Sequence, residues 1–301
     1  MIGGSFTEKR LQFMLVLDSD TFDTKDGDKK NTVVLEGYRA SVTIDLAGLE
    51  LGQGHMACRI WGVPKALMDK IDTMGDRTQV GGVKPMAVKV AADDGTGQFV
   101  DVFEGHVISA RPDYNAAPNV PIEIQAMSGY LHLWDAPKAN SYRGEFEVAK
   151  AIEGLAKSMK FAFENKGVNV KLCDQYVSGS TMNQIRTLAC AARIACMIHN
   201  RKVVIWPREK NNGQPVLKLT PQTGLIGYPR WELNGVTVTH QFSQNFQNGT
   251  EVDLQCSIKA LNGKWYVLLP VRHMLDAEMP GGKWHTEAFM ARRPEGIGRG
   301  N

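Results

Sequence analysis

Along this chain the spacing of apolar residues changes from two to about 3.6 and back to two, and that double switch restricts the fold more than any motif. Leu11, Phe13, Leu15 and Leu17 alternate with Gln12, Met14 and Val16, the period of a strand with one buried face. Val42, Ile44 and Leu46 alternate with Ser41, Thr43 and Asp45. Met56, Cys58 and Ile60 repeat the pattern, and Ile122 and Ile124 bracket Glu123. Turn-rich stretches such as "LGQG", "ADDGTGQ" and "RPDYNAAPNVP" separate these runs. One short helix, "PKALMDKIDT" (64–73), begins on a proline suited to a first helical turn. Many short strands with a single helix predict a small antiparallel barrel or sandwich.

Beyond Pro137 the period lengthens. Val148, Ile152, Leu155 and Met159 form one apolar helical stripe, and Glu153 pairs with Lys157 on its wet side. "VNVKL" (168–172) reads as a strand. Thr181 with Gln184 reads as a capping box opening a second helix that turns Ile185, Leu188 and Ala192 inward. "CMIH" and "KVVIWP" form a hairpin about Asn200–Arg201, and "REKNNGQP" (208–215) is a polar linker.

Alternation then returns. In "TGLIGYPRWELNGVTV" (223–238), Thr223–Gly224 and Gly227–Tyr228–Pro229 break any helix and read as a loop. Asn234–Gly235 marks a tight turn into the strand "VTVTHQF". Val252, Leu254, Cys256 and Ile258 alternate with polar neighbours, Asn248–Gly249 and Asn262–Gly263 read as hairpin turns, and "KWYVLLPVRH" and "GGKWHTEAFMARR" supply closing strands. The expected fold is mainly β with an α+β insertion: a β domain over 1–138, a small α+β domain over 139–215 and a second β domain over 216–301, its tail "RPEGIGRGN" frayed.

Charge divides the chain in the same places. Residues 1–135 carry 13 basic and 19 acidic side chains (net −6), residues 136–220 carry 14 and 6 (+8), and residues 221–301 carry 8 and 7 (+1). No run reaches the roughly 18 uncharged apolar residues of a membrane helix, so no membrane insertion is expected. The apolar run in "MIGGSFTEKRLQFMLVLDSD" is flanked by charge and reads as a strand, not a signal peptide. Five scattered cysteines form no disulfide framework and fit synthesis in a reducing compartment.

No pattern in the sequence marks a reaction centre. Phosphate-loop, dinucleotide and nucleophile-elbow patterns are missing from the sequence. "DSDTFDTKDGDKK" (18–30) places Phe22 where a calcium loop needs a carboxylate and lacks the acidic closing residue. Cys190, Cys196 and His199 have no fourth ligand at zinc spacing. Asp93–Asp94 sits in a loop without the apolar setting that would raise one carboxyl for glycoside hydrolysis. The six tryptophans, Trp61, Trp134, Trp206, Trp231, Trp265 and Trp284, are scattered and read as core anchors. Lys150, Lys157 and Lys160 read as the wet face of a helix rather than a nucleic-acid surface. No catalytic, cofactor-binding or metal residue is assigned, and no cofactor is expected.

The order of elements nevertheless resembles the baseplate or tail hub proteins of long-tailed bacteriophages, especially Mu-like contractile tails. The likeness is carried by "VFEGHVISARPDY" (102–114), "RGEFEVAKAIEGLAKSMKF" (143–161), "YVSGSTMNQIRTLACAARIACMIHNRKVVIWP" (176–207), "TGLIGYPRWELNGVTVTHQFSQNFQNGTEVDL" (223–254) and "MPGGKWHTEAFMAR" (279–292). The resemblance implies two antiparallel β-barrels similar to tail-tube subunits, flanking the α+β domain. It implies a homotrimeric virion protein, assembled in the host bacterial cytoplasm, whose six barrels join a hexameric tail tube to a spike or central fibre and the baseplate. Genomic DNA would pass through its channel without specific binding. The residues expected to shape it are architectural: Gly105 and Pro112 at the close of the first barrel, Gly227, Tyr228, Pro229 and Trp231 at the opening of the second, and Gly281, Gly282 and Trp284 before the last strand. A hub or spike component of a contractile secretion apparatus, a cell-wall hydrolase on a β scaffold, and a monomeric carbohydrate- or nucleic-acid-binding module are the rival readings.

Overall fold

The computed structural model describes residues 7–17, 22–23, 29–46, 53–72, 86–133, 135, 137–268 and 271–292. Most of the acidic loop 18–30, Trp134 and the tail 293–301 lie outside them. The first region runs β1 (Arg10–Leu17), β2 (Phe22–Asp23), β3 (Lys29–Lys30), β4 (Thr32–Glu36), β5 (Ala40–Asp45), β6 (His55–Trp61), α1 (Lys65–Ile71), β7 (Met86–Asp93), β8 (Val100–Pro112) and β9 (Pro121–Met127). The middle runs β10 (Asn140–Glu147), α2 (Val148–Ser158), β11 (Ala162–Asn165), β12 (Lys171–Val177), α3 (Thr181–Ala191), β13 (Ile194–His199) and β14 (Lys202–Pro207). The last runs β15 (Leu217–Leu219), β16 (Leu225–Glu232), β17 (Gly235–Gln241), β18 (Glu251–Leu254), β19 (Gly263–Val267), β20 (Arg272–Ala277) and β21 (Trp284–Ala291).

The alternating runs become strands with the expected faces inward. Leu11, Phe13, Leu15 and Leu17 are buried, as are Val42, Ile44 and Leu46, and Met56, Cys58 and Ile60. Strands from both ends of the chain belong to one fourteen-stranded sheet, ordered β15-β18-β19-β21-β20-β5-β6-β9-β8-β7-β1-β4, with β17 also on β21 and β16 on β17. The joint between its halves is the antiparallel pair β5–β20, in which Ala40, Val42 and Ile44 face Ala277, Leu275 and His273. All six are at most 2% exposed. Val42, Ile44 and Leu275, so buried, each stabilise by roughly 1.5–3 kcal/mol, and one apolar core runs continuously from Leu11 to Met290. Arg272 closes the joint from outside with two bonds to Asp45, at 2.7 and 3.1 Å.

Within the sheet a four-strand pattern occurs twice. The order β5-β6-β9-β8 recurs as β16-β17-β21-β20, every neighbouring pair antiparallel. Met56, Cys58 and Ile60 face Ala126, Ile124 and Ile122 in the first unit, and Val236, Val238 and His240 face Met290, Ala288 and Thr286 in the second.

The middle region packs around its own core, from Val148 to Ile205. The stripe on α2 is buried, and Lys157 reaches Glu153 at 2.7 Å. The capping box is displaced by one residue, because α3 begins at Thr181: Ser180 is the N-cap and accepts from the Asn183 backbone N–H. Asp135 adds a second cap, accepting from the Thr181 N–H at 2.9 Å and hydroxyl at 2.8 Å. Gln184, read as the capping partner, is buried and instead donates to the carbonyls of Lys138 and Gly179. The strand expected at 168–172 begins at Lys171, and β11 pairs in parallel with β14. Asn200 and Arg201 both take positive φ in the β13–β14 turn, as a tight hairpin requires. The alternation expected through Ile258 stops at Leu254, where the chain leaves the sheet for a 3₁₀ turn at Lys259–Leu261 that replaces the expected Asn262–Gly263 hairpin. No helix among the described residues is long and apolar enough to cross a membrane.

Candidate functional site

The stretch 223–229 is more than a loop: Leu225 opens β16, which runs to Glu232 and turns through Asn234–Gly235 into β17. Gly235 is required by a close approach. A Cβ there would lie 2.2 Å from the Met290 carbonyl oxygen. Ile226 pairs with Thr239 and Arg230 with Thr237, so residues 227–229 bulge opposite Val238 alone. Gly227 supplies the positive φ of 68° at that bulge, with open space around it. Pro229 is buried and brings no N–H to the strand.

Four of the nine large hydrophobic side chains exposed among the described residues stand on this hairpin. Ile226, Tyr228, Trp231 and Leu233 are 44, 74, 58 and 98% exposed. Trp231 stands opposite Val236, which is fully buried, so its indole leaves the sheet on the core side. The polar side is tied by Arg230 to Glu232 at 3.0 Å and by the Thr237 hydroxyl to the same carboxylate at 3.2 Å. Among the described residues β16 pairs with β17 alone, and a bulged, proline-bearing strand resists indiscriminate strand addition.

The other architectural candidates lie elsewhere on the sheet. Gly105 sits on β8 beside His106, which pairs with both Ala87 of β7 and Met127 of β9. A Cβ on Gly105 would lie 2.6 Å from the Met127 carbonyl oxygen, so glycine lets the strand change partners there. Pro112 is the last residue of β8. Gly281, with φ of 70°, and Gly282, where a Cβ would lie 2.7 Å from that of Asp276, shape the β20–β21 turn. Trp284 opens β21 and packs edge-on against Phe242, beside a cleft of ≈ 750 Å³ that Lys9, Asp276 and Glu278 also line. The three groups are therefore separate places, not one site.

The titratable groups stabilise packing. His273 is buried in β20 with its Nδ1 2.8 Å from the Thr286 hydroxyl, and burial pushes its pKa down to about 3. Burial likewise lowers His199 to about 4 where the middle region meets the sheet, beside a cavity of ≈ 260 Å³ that His273 also lines. Asp93 accepts from Arg10 at 2.6 Å and from the backbone of Gly95 and Gly97; first the Arg10 hydrogen bond and then those amides hold its carboxyl below the usual range. It anchors a loop. Cys196 is buried whereas Cys190 is exposed. Among the described residues no three His, Cys, Asp or Glu side chains gather as a metal site.

Known proteins share this architecture. The tail protein from Neisseria meningitidis MC58 superposes with a TM-score of 0.61 at 11% identity, covering 94% of this chain and 96% of that one. The 43 kDa tail protein of prophage MuSo2 from Shewanella oneidensis gives 0.59 at 11% identity, covering 93% and 96%. An E. coli component of the type VI secretion system, described as structurally similar to phage T4 tail proteins gp27 and gp5, gives 0.55 at 8% identity, covering 85% and 74%. At these identities the likeness is one of fold. No curated protein matches the sequence. Residues 65–276 match the family described as Baseplate hub gp41, a span reaching from α1 through the middle region to β20. The chain belongs to the Baseplate hub gp41 family, a structural component of the bacteriophage tail.

Proposed function

We propose that the chain is a non-catalytic trimeric hub that adapts a sixfold tail tube to a threefold spike or central fibre and forms part of the DNA channel. The observation that carries this reading is the doubled four-strand unit, β5-β6-β9-β8 and β16-β17-β21-β20, joined through β5–β20 in one chain. Each chain then fills two ring positions, and three chains fill six. These units correspond to the two tube-like barrels of residues 1–138 and 216–301, with residues 139–215 inserted between them. Gly105, Pro112, Gly227, Pro229, Gly281 and Gly282 hold the strand changes and turns that keep the two units side by side.

Charge supports a division of labour. A wall that binds phosphate would retard a passing genome, since each Lys or Arg contact adds affinity through counterion release. The first segment, with 13 basic and 19 acidic side chains, suits the channel wall. The middle segment, with 14 and 6, suits the outside, against acidic neighbours. A density map with the basic middle region lining the channel would contradict that arrangement.

The fold shared with an E. coli type VI secretion component favours one alternative, a hub of a contractile secretion apparatus. Deleting the gene from the phage or prophage that carries it decides between them. The proposal expects lysates without complete tails, restored by supplying the protein in trans; normal infectious tails without it would refute the assignment.

A further inference from the structure

The β13–β14 hairpin of the middle region is fastened firmly at its base and lightly at its tip. At the base Trp206 is buried and packs with Ala195, Met197 and Val204. The linker that follows pins this end to the last region. Asn212 is buried there, its Nδ2 donating to the Asn248 carbonyl at 2.8 Å and its backbone N–H to the Gly249 carbonyl at 3.0 Å. A Cβ on Gly249 would lie 2.8 Å from the Trp206 ring, so the two surfaces already touch. At the tip the contacts are polar and long. Asn200 Nδ2 donates to the Asp101 carbonyl of β8 at 3.5 Å, and Arg201 stands 3.7 Å from Glu104, both beyond the roughly 2.7–3.2 Å of a good N–H···O bond. Asn200 Oδ1 is buried with no partner among the described residues. Under the tip lies the cavity of ≈ 260 Å³ that His199 and His273 line together with Gln244 and Gln247.

We infer that this tip is an acid-released clasp: protonation of His199 frees residues 199–202 from the sheet, while the base at Trp206 stays docked. A charged imidazole at the tip would find no anion free to receive it. Among the described residues that line the cavity Asp101 is the one carboxylate, and it is half exposed and held by Lys89 at 2.7 Å. Glu104 is engaged by Arg201, and Glu164 of β11 by Lys202, which also lines the cavity and adds positive charge. On β20 the neighbouring Arg272 is paired with Asp45. His273 itself is held inside the sheet by the Thr286 hydroxyl at 2.8 Å and by Phe242, edge-on at 5.2 Å, so it does not leave with the tip. Burial is the cause that lowers His199, to about 4 from an ordinary 6.5. The neutral ring therefore favours docking in full above about pH 6.5, and docking weakens as pH falls toward about 4.

Hydrogen exchange of the full chain, corrected for the intrinsic rate at each pH, reads the opening of residues 199–202 and of the facing loop 242–247. With His199 at about 4 docked and 6.5 released, the opening constant should rise roughly 30-fold between pH 7.5 and 5, while β5 and β20 keep their protection. His199→Gln should hold it level across that range. His273→Gln removes the other imidazole of the cavity and should leave the rise in place; unfolding midpoints at pH 7.5 show that each variant folds. In the unaltered chain the His199 ring protons, followed by NMR, should titrate well below pH 6.5, a reading that needs no substitution. An opening constant that does not change with pH in the parent chain would overturn the inference. So would a rise that survives His199→Gln or disappears in His273→Gln, an ordinary His199 titration, or loss of protection at the tip and β20 together.

Discussion

Replacing Gly105 by alanine adds one methyl group at the place where β8 passes from β7 to β9, and the structure sets its cost. The new Cβ would sit 2.6 Å from the Met127 carbonyl oxygen and 2.9 Å from the Phe103 ring. Ordinary contact begins near roughly 3.5 Å, and the nearest obstacle is backbone in a paired strand rather than the end of a movable side chain. Overpacking of this kind costs about 1–3 kcal/mol, against a gain of about 0.4–1 kcal/mol from a stiffer unfolded chain. A net loss of about 1–2 kcal/mol should lower the urea midpoint by roughly 0.3–1 M at slopes of about 2–3 kcal/mol per molar. Gly154→Ala is the matched control. Its Cβ would meet nothing within 4 Å on α2, so the same methyl group should stabilise by about 0.5–1 kcal/mol. Equilibrium unfolding of both variants, followed by fluorescence, checks the pair. A neutral or stabilised Gly105→Ala protein would refute the argument that close backbone approach selects glycine there.

Leu275→Ala, at a fully buried position of the β5–β20 joint, should cost about 2–5 kcal/mol. Because the halves share one core, it should shift the transitions reported by Trp61 and Trp265 together in single-tryptophan proteins. His273 has a folded pKa of about 3 against an ordinary 6.5, so only the unfolded chain takes up this proton between those values. Stability is therefore complete above about pH 6.5 and falls as pH drops toward about 3, by up to about 1.4 kcal/mol per pH unit for one such histidine; denaturant midpoints from pH 6.5 to 5 should show the slope, and His273→Gln should reduce it, His199 keeping a slope of the same sign. Cys173 and Cys190, both exposed, should react rapidly with a thiol reagent. Cys58, with burial pushing its thiol up to about 12, and the buried Cys196 should react only on unfolding, which timed thiol titration with peptide mapping resolves.

Local pattern made the strands and helices readable, and distance hid their arrangement. A two-residue period names the buried face of β5 but not its pairing with β20, which joins residues more than two hundred positions apart. Gly227 and Pro229 look like loop residues in sequence because a bulge uses the same chemistry as a loop; the flanking Leu225 and Trp231 reveal β16 only once Val236 and His240 are seen opposite them. The cap of α3 falls at Ser180 rather than Thr181: both side chains are competent, and only the backbone shows which lies outside the helix. Gln184, polar and placed where a cap partner belongs, gives no sign that it satisfies carbonyls in the interior. The exposed aromatics of β16 were legible as residues but not as a surface, since exposure depends on which edge the fold leaves uncovered.

A chain that supplies two of six ring positions fixes the ratio of hub to tube subunits. Native mass spectrometry of the protein assembled with its tail-tube partner measures that ratio directly. Three hub chains are expected for every ring of six tube subunits; six hub chains per ring would contradict the two-position arrangement.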